Sequence, residues 1–281
     1  MSRFGLPEIL TGLVCAGTAL APAPAADVPD LAGTDATAWF VFNDEFQPPP
    51  SGPGPVTFDK RFPYVDNGAA RRAGIQPTYR IADLSNPILQ PWAREEMRKA
   101  NEEVHAGKVP FRARERCYPA GVPSFVVYTL AEPFYFIQTA SQVTIINQGG
   151  PEVRRIYLDI PHSAKVTPSW YGESVGHYEN GDTLVVDTIG ISTKTFVDNY
   201  RTPHTEQLHV VERYNLVNVE TRIEVTLTVE DPGAFTTPWS VQQIYRRVEI
   251  GPMAESTCVE GNFNYFNFDL DPLPQDDHPV F

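Results

Sequence analysis

SWYGESVGHYENGDTLVVDTIG, Ser169 to Gly190, holds two runs of strand-forming residues on either side of a tight turn, Glu179-Asn180-Gly181-Asp182. Asn-Gly flanked by such runs is a strong short-range sign of a β-hairpin. Successive strand side chains point to opposite faces. The first run therefore puts Gly172, Ser174 and Gly176 on one face and Tyr171, Glu173, Val175 and His177 on the other. In the second run Leu184, Val186 and Thr188 lie opposite Val185 and Asp187. The question is why a strand would keep one face so small.

Further strand texture lies on both sides of this hairpin. The candidates are Phe134–Asn147, Val153–Asp159, Ser169–Tyr178, Thr183–Thr188, Gln207–Val217, Arg222–Glu230 and Ser240–Ile250. Gly149-Gly150, Asn218 and Asp231-Pro232-Gly233 punctuate them. Short connections make neighbours antiparallel, so the set predicts an all-β fold, an up-and-down antiparallel barrel. A sandwich is the alternative, because strand count does not separate the two. Asn86 to Ala106 is the one predicted helix, with Pro91 suited to its first turn and Gly107 to stop it. Leu89, Trp92, Met97 and Val104 form its apolar stripe.

The predicted organisation is a signal peptide over 1–25, a Pro/Gly-rich extended arm over 26–85, a helix over 86–106, a barrel over 107–250 and a C-terminal arm over 251–281. Ile9 to Ala21 is a thirteen-residue apolar run, too short to span a bilayer, and Ala23-Pro24-Ala25 supplies the small-x-small cleavage pattern. A cut after Ala25 and a periplasmic or secreted location are expected. Val14 is too large for a lipobox before Cys15. Cleavage leaves Cys117 and Cys258, which an oxidising compartment would join as a disulfide. The aromatic-polar alternation of Asn262 to Pro274 suits an added strand or a covering arm.

The chain has 281 residues, a net charge of −13 and no Lys/Arg-rich run, so nucleic acid and anionic membrane surfaces are poor partners. Hydrophobic residues make up 42%, enough for a sizeable core, and 27 prolines favour extended coverings over long helices. No later segment is long and apolar enough to cross a membrane. Sequence does not give the oligomeric state.

Two strands carry carboxylates where hydrophobic residues would be expected. Arg222–Glu230 alternates normally, with Ile223, Val225, Leu227 and Val229 on one face. In Gln207–Leu216, Glu212 shares a face with Leu208, Val210, Tyr214 and Leu216. Asp187 raises the same question beside Val185. A carboxylate among buried apolar side chains needs a partner or a shifted pKa. The small face Gly172/Ser174/Gly176 has two readings: room for a ligand inside a barrel, or glycines that permit curvature and close packing. The ligand reading assigns Gly172, Ser174, Gly176, Asp187, Glu212 and Tyr200 to a binding wall for a small apolar or aromatic molecule.

Tyr135–Thr139 (YFIQT), SWYGESVGHYENGDTLVVDT, Asp198–Tyr214 (DNYRTPHTEQLHVVERY) and Glu230–Trp239 (EDPGAFTTPW) resemble a family of exported, mostly uncharacterised proteins of proteobacteria and acidobacteria. The resemblance spans most of the mature chain and implies export and kinship, with no catalytic residues to carry over. More loosely, the strand pattern is similar to lipocalin-type barrels, an analogy of fold.

The densest polar segment, Asp198 to His209, offers a candidate catalytic group. His204 suits a general acid or base, Arg201 a clamp on a carboxylate or enolate oxygen, and Asp198 an orienting carboxylate. The alternative is a solvated loop with local ion pairs. Four histidines, His162, His177, His204 and His209, fall in the strand region, but no HxH, HExxH or paired-Cys pattern occurs, so no metal is predicted. Gly172 to Gly176 matches GxSxG inside a strand, where the nucleophile elbow does not form. No GxGxxG or P-loop appears, so no nucleotide cofactor is predicted. Three functional readings remain. The first is a cofactor-independent lyase, isomerase or hydrolase, the second a non-catalytic periplasmic binding protein, and the third a structural envelope protein. Paired inner carboxylate and histidine would favour the first, an apolar pocket the second, and a filled barrel the third.

Overall fold

The computed structural model describes residues 28–34, 36–43, 45–75, 77–108, 117–127, 132–149, 152–218 and 221–258. The expected cleavage point, Cys15 and the segment Asn262–Pro274 lie outside them. The strands are β1 (Thr37–Val41), β2 (Phe134–Gln138), β3 (Gln142–Asn147), β4 (Glu152–Leu158), β5 (Glu173–Glu179), β6 (Thr183–Ile189), β7 (His209–Asn218), β8 (Arg222–Glu230) and β9 (Trp239–Glu249). Helices α1 (Asn67–Ala73) and α2 (Pro91–His105) and a 3-10 turn (Ser124–Val127) precede β2. The long helix is the expected one, and α1 is an addition.

The strands close into a barrel in sequence order, β9 returning to β1. Closure needs β1, five residues inside the stretch read as an irregular arm. It pairs along its whole length with β9, from Thr37–Glu249 to Val41–Tyr245. An odd ring cannot alternate direction all the way round, so one neighbouring pair must be parallel. That pair is β4–β5, joined at Tyr157–Val175 and Leu158–Gly176. The barrel is therefore mixed, not purely antiparallel as the short connections suggested. The crossover from 159 to 172 carries the chain back to the starting end of β4.

Strand alternation decides what faces the lumen. In β8, Ile223, Val225, Leu227 and Val229 are all fully buried, and Trp239, Val241 and Tyr245 answer them from β9. Both ends are closed by chain. At one end the segment before β2 inserts Val122, Phe125, Val126 and Val127, all essentially without exposed surface. Phe125 packs edge-on against Phe134 and Tyr171, and Tyr245 donates its hydroxyl to the Val126 carbonyl at 3.1 Å. At the other end Leu31 is fully buried. Its N–H donates to Gln138 Oε1 at 2.9 Å, and the Gln138 amide in turn donates to the Pro29 carbonyl and reaches the Tyr178 hydroxyl, both at 2.9 Å.

Helix α2 buries Ala93, Met97, Asn101 and Val104. Trp92, expected in that stripe, is 41% exposed at its edge and donates its indole N–H to the Gly233 carbonyl at 2.6 Å. Asn101 imitates a strand partner: its side chain accepts from Ala82 N–H and donates to Ala82 carbonyl, both at 2.9 Å. The disulfide Cys117–Cys258 joins the end-closing segment to the chain beyond β9, with Cα atoms 5.6 Å apart and a sequence separation of 141.

Candidate functional site

Glu212 lies on the lumen face of β7, beside Leu227 on β8 and Val186 on β6. Its side chain has no surface open to water, and its partner, Arg154 of β4, is equally closed. Arg154 Nη1 donates to Glu212 Oε1 at 2.9 Å, and Nη2 donates to Oε2. Nη2 also reaches Thr188 Oγ1 at 3.0 Å and Ser174 Oγ at 3.2 Å. Tyr214 donates its hydroxyl to Glu212 Oε1 at 3.0 Å. Burial alone would lower the guanidinium pKa, but the charge and hydrogen bonds of Glu212 outweigh it and leave it raised. Burial, helped by the Glu212 charge, holds the phenols of Tyr214 and Tyr245 well above their usual range. The lumen centre is thus an ionised pair capped by neutral hydroxyls. Arg154 Nε has no hydrogen-bond partner among the described residues.

The small wall of β5 belongs to this interior. Ser174 is 2% exposed and holds the Arg154–Thr188 corner, 2.9 Å from Thr188 Oγ1. A Cβ on Gly176 would stand 2.7 Å from the Val185 carbonyl oxygen and 3.0 Å from Ile156 Cγ2. A Cβ on Gly172, whose φ is +65°, would stand 2.4 Å from the Ile189 carbonyl oxygen. These glycines lie against packed atoms. A cavity able to admit water would also leave accessible surface on its walls, yet Arg154, Glu212, Tyr214 and Val186 have none. A hollow of about 490 Å³ elsewhere is lined by Thr57–Arg61, Asp83 and Ser85, all of the N-terminal arm.

Asp198, Arg201 and His204 share a loop but do not converge. Asp198 is 5% exposed and accepts from Tyr200 N–H at 2.9 Å, Thr202 N–H at 3.2 Å and Thr202 Oγ1 at 2.7 Å. Burial pushes its pKa up to about 6, against these hydrogen bonds. Arg201, at φ +62°, turns away to α2, where it donates to Glu103 Oε2 at 2.6 Å and to the Ala100 carbonyl. His204 Nδ1 donates to the Thr205 carbonyl at 2.9 Å, and Nε2 lies 2.9 Å from Thr195 Oγ1. Burial lowers its pKa. Tyr200 is 4% exposed within the apolar core. Asp198 and His204 serve the loop's own fold, and Arg201 docks the loop to α2.

Asp187, grouped by sequence with the binding wall, points outward into a cluster that sequence did not assemble. His162 of the crossover places Nε2 2.9 Å from Asp187 Oδ1, and His209 of β7 places Nε2 3.1 Å from the same oxygen. His162 Nδ1 lies 3.0 Å from Glu173 Oε1, and His209 Nδ1 lies 3.6 Å from Glu230 Oε2. Ser163 fixes Glu173 through its N–H, at 2.7 Å, and its hydroxyl. Burial raises the Asp187 pKa, but hydrogen bonds from the two histidines reverse this and hold it below the usual carboxylate range. The Ser163 hydroxyl and N–H likewise lower Glu173. The signal available in sequence was the outward phase shared by Glu173 and Asp187. The third strand position, His209, follows from β6–β7 register, and His162 from the crossover.

No family model and no curated protein matches the chain.

Proposed function

We propose that the protein is an exported structural barrel of the bacterial envelope, kin to the uncharacterised family its motifs resemble, and that it works through its outer surface. The observation that carries this reading is the filled lumen: the Arg154–Glu212 pair occupies the place where a lipocalin-type protein would hold its ligand. Ion pair, aromatic rings and closed ends make a stiff frame in place of a pocket. The positions of Asp198, Arg201 and His204 point the same way, since each is committed to local or helix-docking hydrogen bonds. Two of the resembling motifs supply both features of the barrel. SWYGESVGHYENGDTLVVDT contributes Ser174 and Thr188 inside and Glu173 and Asp187 outside. DNYRTPHTEQLHVVERY contributes Glu212 inside and His209 outside.

The test is native mass spectrometry of protein purified from its own envelope, beside titration with apolar fluorescent probes. The proposal expects no co-purifying small molecule and no saturable probe binding. A stoichiometric organic ligand that protects the barrel from unfolding would overturn it and restore the carrier or enzyme reading.

A further inference from the structure

The crossover between β4 and β5 is anchored at both ends and loosely held between them. Asp159 N–H donates to the Gly176 carbonyl at 2.9 Å, and Ser169 N–H donates to the Gly190 carbonyl at 3.0 Å. From 160 to 168 the chain makes no backbone–backbone hydrogen bond among the described residues. Only His162 and Val166 in this stretch are partly buried, and Val166 packs over Gly190. The side-chain hydrogen bonds that hold the stretch run from His162 and Ser163 to Glu173 and Asp187. A segment with so little burial and so few bonds opens at low cost.

His162 is the centre of this clasp. Its Nδ1 lies 3.0 Å from Glu173 Oε1 on β5, and its Nε2 lies 2.9 Å from Asp187 Oδ1 on β6. An ionised carboxylate only accepts and a neutral imidazole has one N–H, so a neutral ring satisfies one of the two. An imidazolium has two N–H groups and satisfies both with charge-assisted bonds. Both carboxyl groups lie below the usual carboxylate range, so the proton belongs on the ring. His209 of β7 needs no extra proton, since a neutral ring donates its Nε2–H to Asp187 Oδ1 at 3.1 Å. Its Nδ1 stands 3.6 Å from Glu230 of β8, beyond hydrogen-bond reach. The one other charged side chain within 160–168, Lys165, is exposed.

We propose that residues 160–168 are a pH-sensitive strap, shut over the outer barrel wall while His162 carries protons on both ring nitrogens and released when it gives one up. Closing takes one proton from solvent, so acid favours the shut form. As pH rises through the range in which histidines titrate, roughly 5 to 8, the ring loses a donor and one carboxylate faces a lone pair. The strap then comes away. The His162 side chain is 22% exposed, so its proton exchanges with water. Opening uncovers Glu173 and Asp187 beside the parallel β4–β5 joint, which pairs at two positions. This behaviour does not depend on whether the lumen holds a ligand.

The experiment digests the full chain with a lysine-specific protease and follows the bond after Lys165 by mass spectrometry, from about pH 5.5 to about pH 8.5. The rate is expressed relative to a free peptide of residues 160–170 in the same tube, which cancels the protease's own pH dependence. Relative cleavage is expected to rise at least about 10-fold, the worth of one hydrogen bond to a charged group. His162→Gln should be cut fast at every pH. Glu173→Gln and Asp187→Asn should flatten the rise, because an amide can donate to a neutral ring. His177→Gln, on the exposed side of β5 and bonded to Glu179, should keep it. Should a variant fail to fold, ring-nitrogen spectra of His162 in the unaltered protein decide the matter: protons on both nitrogens at the acid end, on one at the alkaline end. Parent cleavage that ignores pH, a rise that survives His162→Gln, cleavage that tracks loss of the whole fold by circular dichroism, or a ring with one N–H throughout would overturn the proposal.

Discussion

Arg154 and Glu212, 58 residues apart on β4 and β7, meet inside the barrel as a two-pronged ion pair with no exposed side-chain surface on either partner.

Removing one member leaves a buried charge unpaired, which typically costs about 3–5 kcal/mol. Glu212→Ala and Arg154→Met should each lower stability by an amount of that order in denaturant unfolding. The double replacement Arg154→Met/Glu212→Leu should recover much of the loss. A Glu212→Ala midpoint equal to the parent's would show that the pair does not hold the lumen.

The β5 wall should resist enlargement. Ser174→Leu removes a hydroxyl from the Arg154–Thr188 corner and adds volume where nothing is open. Overpacking typically costs about 1–3 kcal/mol, and the lost polar contact adds to it. Thermal melting checks this. Unchanged stability would mean that space adjoins Ser174 after all.

The Cys117–Cys258 bond closes a long loop, 141 residues by sequence separation. The chain-entropy model gives such a link about 5 kcal/mol as an upper figure. A Cys117→Ser/Cys258→Ser protein should melt markedly lower than the oxidised parent. Denatured, unreduced parent should leave both positions unlabelled by a thiol reagent. Stoichiometric labelling at both would contradict the bond.

Asp198 predicts a pH effect with a definite sign. Its folded pKa is raised by burial to about 6 from the ordinary carboxyl value of 3.8. A group raised in the folded state favours folding most below its unfolded pKa, and that contribution disappears as pH rises through the folded value. Stability from this residue should fall between about pH 4 and pH 6, by roughly 3 kcal/mol. The difference between parent and Asp198→Asn, followed by denaturant midpoints across that range, isolates the effect from His204, whose lowered pKa acts in the opposite direction. A flat difference curve would place the proton elsewhere.

Local pattern was enough to identify most of the barrel. The Asn180-Gly181 turn, the alternation of β8 and the stop at Gly107 are short-range signals, and the expected Arg222–Glu230 strand coincides with β8. The misplaced carboxylate at Glu212 was also legible, because a strand face is read from its own residues. Its partner was not. β4 offers Arg154 and Arg155 side by side, and only the register with β3 decides that Arg154 turns inward opposite Ile145. β1 was hidden because five residues with Pro-rich chain on one side carry little periodicity, and its strand state comes from β9 beside it. The parallel β4–β5 joint follows from closing nine strands, a property of the ring that no segment contains. The same holds for the two readings of Gly172, Ser174 and Gly176. A small face is consistent with a cavity or with close packing, and what lies opposite it decides between them. His162, Asp187 and His209 are brought together by long-range contacts, so their chemistry exists only after the crossover has folded back over β6 and β7. Sequence determined the strands and their faces, because these depend on neighbours in the chain. Tertiary structure decided the partners, because these depend on register and closure.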